Sequence, residues 1–159
     1  MFPVKRAQRS DSHHAALGWL VSSAANLDLL TFNFMVARAG ITMATANLLM
    51  GRDNFDATLA RLGRLVEASD LTPPVKKEFR EWNKRATEAM QLRNQLVHSA
   101  WINPGRAPDG LDQLVRHREP LDGIKANPTN VREIESLAER LDELTNQLLQ
   151  MADLLGVLA

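Results

Sequence analysis

The feature that most restricts the fold is a three- and four-residue spacing of apolar residues, which recurs through most of the chain. The spacing covers residues 14–37, residues 41–68 with a break near Gly51, a long third segment from Pro73, and a last segment from Asn130 to Leu155. Such spacing places apolar side chains on one face of an α-helix. The sequence therefore predicts an all-α protein, an up-and-down bundle of four to five helices in a single domain over residues 1–159.

Residues that begin or end helices stand at the boundaries of these segments. Gly40 follows the first segment and is typical of a helix C-terminus. Thr72 is placed to cap the third helix, with Pro73 in its first turn, where the missing N–H does no harm. Asp53 or Asn54 is predicted to begin the part of the second segment that follows the break, and Asn130 and Glu133 have the spacing of a capping box. We expect residues 1–12 to form a flexible tail, and the adjacent histidines 13 and 14 to belong to the tail or to the start of the first helix rather than to a metal site.

A long connection separates the third helix from the last. The third helix is predicted to continue to Ala100 and to end at "NPG", residues 103–105, and the connection covers residues 103–128. A connection of this length is unusual in a compact domain unless it has a function. Its segment "QLVRHREPL" could form one or two short strands, with Pro120 confined to an edge or a turn. The bundle is thus predicted to carry a short strand-forming insert before its last helix.

Composition excludes several classes of protein. The chain has no cysteine, which excludes disulfides and thiolate metal sites and favours an intracellular, cytoplasmic protein. We find no apolar run near the roughly 20 residues that span a bilayer, so no membrane association is expected. The net charge is zero, so the whole chain is not a general polyanion binder. Within it, residues 73–102 carry six Lys/Arg against three Glu. This basic segment could pack against a complementary acidic face inside the fold, or it could form one exposed basic face.

Three polar residues interrupt the third helix in the stretch "QLRNQLVHSAW". Arg93 stands where the apolar series predicts a large hydrophobic residue, while Asn94 and His98, four residues apart, share a neighbouring face. Arg93 and His98 lie about 140° apart around the helix axis, so one helix presents them to a small group only obliquely. If two copies of the helix meet across a two-fold axis, Arg93 and His98 of both copies could line one cleft.

These residue types suit the cleavage of a phosphodiester. Histidine can exchange protons near neutral pH. Arginine is a permanent bidentate donor to phosphate oxygens, and asparagine can orient either partner by hydrogen bonding. Attack by a ribose 2′-hydroxyl on its own phosphate needs no metal, and the sequence shows no convincing metal cluster. It also lacks a P-loop, a GxGxxG motif and a paired carboxylate site, so no cofactor is expected.

The stretch "RNQLVHSAW" resembles the R-polar-x3-H signature of the HEPN superfamily, helical domains of prokaryotic toxins and RNA-cleaving defence proteins. The layout of helices and insert is similar over most of the chain, although the specific motif covers only about nine residues. The resemblance implies a metal-independent endoribonuclease with a composite site in a homodimer. Arg93 and His98 would be catalytic, Asn94 auxiliary, and the product a 2′,3′-cyclic phosphate. It also implies a toxin or phage-defence role, with a cognate antitoxin or nucleotidyltransferase as partner. Where many members have glycine after the histidine, this chain has Ser99.

Other residues are weaker candidates for contacts with RNA. They are Asp28 on the first helix, Trp101 after the motif, and Arg106, Arg116 and Arg118 in the connection. Asp28 could orient Arg93 or His98, or be an ordinary acid at the edge of an apolar face. Trp101 could stack on a base or pack in the core or a dimer interface. The three arginines could bind phosphates or belong to a solvated loop.

Two alternatives to the nuclease stay open. One is a catalytically inactive helical module that binds nucleotide, RNA or a protein partner. The other is that Arg93 and His98 only hold a dimer interface together. For the residues taken singly, Arg93 could pair with a buried acid such as Asp28, and His98 could be a packing residue at the helix end.

Overall fold

The described residues form five helices and one pair of short strands, which lies between the fourth helix and the fifth. The computed structural model describes residues 11–51, 54–98, 100–101, 114–115 and 130–156. The helices are α1 (Asp11–Ala39), α2 (Met43–Met50), α3 (Phe55–Glu67), α4 (Pro73–Val97) and α5 (Val131–Gln150), and the strands are β1 (Ala100–Trp101) and β2 (Leu114–Val115). The predicted all-α bundle is confirmed.

Helix α1 is the centre of the bundle. It packs along α5 and α3 and touches α4 and α2. Leu20 and Leu27 from α1 have no exposed surface, and they meet an apolar face of α5 that includes Leu141 and Leu148. Burying such side chains stabilises the bundle by about 1.5–3 kcal/mol each.

Helix α4 is fixed against α5 by an aromatic pair. Phe79 and Trp82 lie with ring centroids 5.5 Å apart, and both are buried. The indole Nε1 of Trp82 donates a hydrogen bond of 2.9 Å to the carbonyl oxygen of Leu144 on α5. A buried indole N–H needs such a partner, so this contact fixes how α4 lies on α5.

Several predicted boundaries are confirmed. Gly40 ends α1 with φ 65°, a conformation that favours glycine. Gly51 has φ 56° at the break between α2 and α3. Asn54 begins α3, where its side chain accepts a hydrogen bond of 2.9 Å from the N–H of Ala57. Asn130 and the Glu133 carboxylate form the expected capping box at the start of α5.

Other boundaries differ from the prediction. Helix α1 already begins at Asp11, so Asp11 and Ser12 are helical, while residues 1–10 lie outside the described part. Thr72 precedes α4 as expected, but its side chain makes no capping hydrogen bond. Helix α4 ends at Val97, before the predicted end. Helix α5 ends at Gln150, after which residues 151–156 form turns that still bury Leu155.

The predicted insert contains one strand of a short pair, β2, whereas its partner β1 precedes the insert, where Ala100 was predicted to be helical. Strands β1 and β2 are antiparallel, with Ala100 opposite Val115 and Trp101 opposite Leu114. Strand β2 lies within the segment predicted to form strands, which confirms that part of the prediction. The remainder of 103–128, including "NPG", lies outside the described residues.

Helix α1 is more apolar than the sequence analysis allowed. From Ser12 to Ala39 it is long enough and apolar enough to cross a membrane by length and composition. The core helix of a soluble protein passes the same test, and α1 packs along α5 and α3 as a core helix does. The cellular location stays a prediction.

Candidate functional site

The end of α4 holds the three residues of the motif, and a hydrogen bond links two of them. Arg93 is half-buried, and its Nη1 donates a hydrogen bond of 2.9 Å to Oδ1 of Asn94, which is exposed. The helix directs the Cβ of Arg93 toward the core, about 100° from that of Asn94. The hydrogen bond therefore draws the guanidinium group around the helix to the face that Asn94 shares with His98.

His98 lies one turn after Asn94, at the position where α4 stops. Its backbone N–H donates to the carbonyl oxygen of Asn94 at 3.1 Å, and its backbone has φ −94° and ψ 7°. The residue is exposed, so a ligand in solvent can reach its imidazole ring. Although Arg93 and His98 lie about 140° apart around the helix axis, the Arg93–Asn94 bond directs the guanidinium group toward the His98 side.

Arg93 uses few of its hydrogen-bond donors. A guanidinium group has five N–H donors. Its Nε is buried, with no hydrogen-bond partner among the residues that the structure describes. An unsatisfied buried donor costs about 1–3 kcal/mol. A large apolar residue would avoid that cost here, so stability of the isolated chain does not explain the arginine.

Asp28 approaches Arg93 from α1 and is half-buried. Burial raises the pKa of the Asp28 carboxyl above its ordinary value of 3.8, and the positive charge of Arg93 lowers it in part. Within the described ranges, no ion pair or hydrogen bond joins the two side chains directly. The sequence-based alternative of a tight Asp28–Arg93 pair thus lacks a direct bond, although the two charges do interact.

Four predicted contact residues cannot be placed at this site. Arg106, Arg116 and Arg118 lie outside the described residues. Trp101 is described only by its backbone, which pairs with Leu114 directly after the motif.

The histidines at the N-terminal end belong to α1. His13 is 2% exposed and His14 is exposed, so the pair is the start of a helix rather than a tail. Among the described residues, no group of three or more His, Cys, Asp or Glu side chains could hold a metal ion.

A polar stripe runs along α4 that the number of basic residues alone did not predict, because a count carries no information on spacing. We call it the α4 polar stripe: Lys77, Arg80, Lys84, Thr87, Gln91, Asn94 and His98. Steps of three and four residues keep these side chains on one side of the helix. Apart from Thr87, which is half-buried, every member is exposed. The three- and four-residue spacing of these polar residues is the signal in the sequence that indicates the stripe.

A shallow groove lies on the other exposed side of α4, next to the start of α5. Its volume is about 430 Å³, and its lining includes Leu92, Arg132 and Arg140. None of the predicted site residues lines it. The groove is therefore separate from the Arg93–His98 site.

No family model, curated protein or solved structure matches this chain. The resemblance to the HEPN superfamily is thus carried by the stretch "RNQLVHSAW" and the order of the elements. The geometry at the end of α4 provides the remaining support for a function.

Proposed function

We propose that the protein is a metal-independent endoribonuclease of the HEPN type, cytoplasmic and active as a homodimer. The observation that carries the proposal is the 2.9 Å hydrogen bond from Arg93 to Asn94, one turn before the exposed His98. It directs a permanent cation toward the same face as a side chain that can transfer protons. Both groups suit a phosphodiester with charge developing on its oxygens.

The proposed reaction is a transesterification within the RNA strand. The ribose 2′-oxygen attacks the adjacent phosphorus while a base removes its proton. The bond from phosphorus to the 5′-oxygen breaks, and an acid supplies the proton that this leaving oxygen takes up. The products are a 2′,3′-cyclic phosphate and a 5′-hydroxyl end. Arg93 would stabilise the negative charge on the phosphoryl oxygens, and His98 would transfer protons.

This chemistry favours a second copy of the chain. The reaction needs both a base and an acid, and the motif of one chain contains a single histidine, His98. In a dimer, the second His98 can take the other role. A two-fold axis brings identical groups together in this way.

Exposed apolar side chains on α1 and α2 support the dimer. Leu29 on α1 is 61% exposed, and Leu48 and Leu49 on α2 are 85% and 72% exposed. Large apolar side chains left this exposed gain stability when a partner covers them. Leu29 directly follows Asp28, whose pKa is raised by burial and lowered in part by the positive charge of Arg93. Contact between two copies at Leu29 would therefore bring both sites toward the dimer axis.

One observation favours the alternative of an inactive binding module. The Nε of Arg93 is buried, so part of the guanidinium group is covered within a single chain. A module of this kind would bind RNA, nucleotide or a protein partner at the same face without cleaving RNA.

Cleavage of RNA by matched histidine variants tests the proposal. Total RNA is incubated in EDTA with the native protein, with His98→Ala and with His14→Ala, each checked for helix content and for dimer mass. Both histidines are exposed, so neither substitution should disturb the core. We expect cyclic-phosphate ends from the native protein and from His14→Ala, and a loss of at least about 100-fold with His98→Ala.

The other outcomes have distinct meanings. RNA left intact by the native dimer would support the inactive module. Equal cleavage by all three proteins would remove His98 from the active site.

A further inference from the structure

The α4 polar stripe extends from the candidate site toward the start of α4, where its members become cationic. We propose that this stripe is a track for the phosphates of single-stranded RNA, which guides the strand to His98. The proposal rests on the nuclease function above and extends it by defining the form of the substrate and its path. It depends on the charges, exposure and spacing of Lys77, Arg80 and Lys84.

Positive and negative side chains lie on different exposed sides of α4. No carboxylate belongs to the stripe, whereas the glutamates of α4 are centred roughly 100° away around the axis. These are Glu78, Glu81 and Glu88. Glu88 is drawn further from the stripe by Arg140 of α5, whose Nη2 lies 3.3 Å from its Oε2. A polyanion on the stripe thus meets cations along its path, with the α4 glutamates to one side and Glu67 of α3 against Arg80.

Two of the three cations have carboxylate partners that a phosphate can displace. Arg80 Nη1 lies 3.1 Å from Glu67 Oε1, and Lys77 Nζ lies 3.9 Å from Glu81 Oε1. Their side chains are 58% and 74% exposed. Ion pairs this exposed contribute only about 0.2–1 kcal/mol, so a multiply charged strand competes well with them.

Lys84 is the strongest candidate for a phosphate contact. It is exposed and central in the stripe, and it makes no ion pair with any residue in the described part of the chain. Within the described residues no carboxylate lies within ion-pair distance of its ammonium group, although Glu81 and Glu88 stand three residues before and four residues after it, so ions from solvent accompany the charge. Release of such ions favours binding of a nucleic acid.

The dimensions and composition of the stripe favour one unpaired strand. From Lys77 to His98 it is about 32 Å long at 1.5 Å per residue, which matches roughly nine phosphates of a stacked strand. It contains no Phe, Tyr or Trp on which bases could stack. We therefore expect contacts with the backbone alone, with little sequence preference. A single row of cations follows one strand rather than the two phosphate rows of a duplex.

Binding to a labelled RNA strand tests the track. The full chain carrying His98→Ala, which prevents cleavage, is titrated against a uridine strand of about 12 nucleotides, longer than the stripe. Fluorescence anisotropy gives Kd at several salt concentrations. The same protein is then compared with added Lys84→Gln and with added Arg85→Gln. Arg85 is the matched control because it is exposed and adjacent in sequence, but lies about 100° around the helix, on the glutamate side.

Loss of one phosphate contact changes the salt dependence of binding by a defined amount. For single strands, each contact contributes about 0.7 to the slope of log K against log salt. We expect Lys84→Gln to reduce the magnitude of the slope by about 0.7. The factor by which Lys84→Gln weakens binding should therefore be about fivefold larger at ~0.1 M salt than at ~1 M salt. Arg85→Gln should change Kd less than twofold. A strand of about 4 nucleotides and a duplex of the full length should both bind more weakly than the long single strand.

The results separate failure of the track from failure of the nuclease. Equal effects of Lys84→Gln and Arg85→Gln, or equal binding of duplex and single strand, would overturn the track while leaving cleavage by the native protein intact. If the native protein neither binds nor cleaves RNA, both proposals are wrong.

Discussion

Trp82 offers the sharpest test of how the bundle is held together. We predict that Trp82→Phe destabilises the protein far more than Trp19→Phe. Each indole Nε1 donates one hydrogen bond of 2.9 Å to α5, Trp82 to the carbonyl of Leu144 and Trp19 to Oδ2 of Asp142. They differ in burial, since Trp82 is fully buried and Trp19 is 40% exposed.

The expected magnitude follows from these contacts. Loss of the buried hydrogen bond of Trp82 costs about 1 kcal/mol. The Leu144 carbonyl still accepts its bond within α5, which continues for more than one turn beyond it, so no orphaned acceptor is added. The smaller ring leaves a cavity of a few tens of Å³, which together with lost apolar burial adds about 1–2 kcal/mol. The total is about 2–3 kcal/mol, against about 0.5 kcal/mol for the exposed contact of Trp19.

Chemical and thermal unfolding followed by circular dichroism measure the difference. For a chain of this length, about 2–3 kcal/mol lowers Tm by roughly 4–12 °C. Trp19→Phe should lower it by no more than about 2 °C. Equal destabilisation by the two substitutions would refute the argument that burial of Trp82 decides the strength of the contact between α4 and α5.

Two further predictions concern the charge at the site and the start of two helices. Because burial raises the folded-state pKa of Asp28 above 3.8, the folded protein holds that proton more tightly than the unfolded chain, and stability falls as pH rises through the raised value. Asp28→Asn should therefore stabilise the protein at neutral pH but not well below pH 3.8, as urea unfolding at both pH values would show; a variant destabilised at neutral pH would contradict this. Asn54→Ala should lower the free energy of unfolding in urea by about 1 kcal/mol because it removes a capping hydrogen bond. Thr72→Ala should change that free energy little, because the Thr72 side chain makes no capping hydrogen bond. Equal losses from the two substitutions would contradict this assignment of the caps.

Much of the fold could be predicted because helix formation depends on neighbours in sequence. The apolar spacing of α5 identifies the face that buries Leu141 and Leu148, and Asn130 with Glu133 identifies its start. These features involve residues only three or four positions apart. The end of α4 was harder, because nothing local in "LVHSAW" distinguishes the stop at Val97 from a continuation to Ala100.

The candidate site could be predicted as a set of residues but not as an arrangement. The sequence by itself determined that Arg93 interrupts an apolar face and that Asn94 and His98 share another, since helical rotation is fixed at about 100° per residue. Tertiary structure decided that Asp28 of α1 comes close enough to Arg93 for its pKa to respond. It also decided that the guanidinium group turns to Asn94 and that Lys84 stays unpaired within the described residues. Burial and the direction of a long side chain depend on distant elements that pack around it, and spacing along one helix carries no information about them.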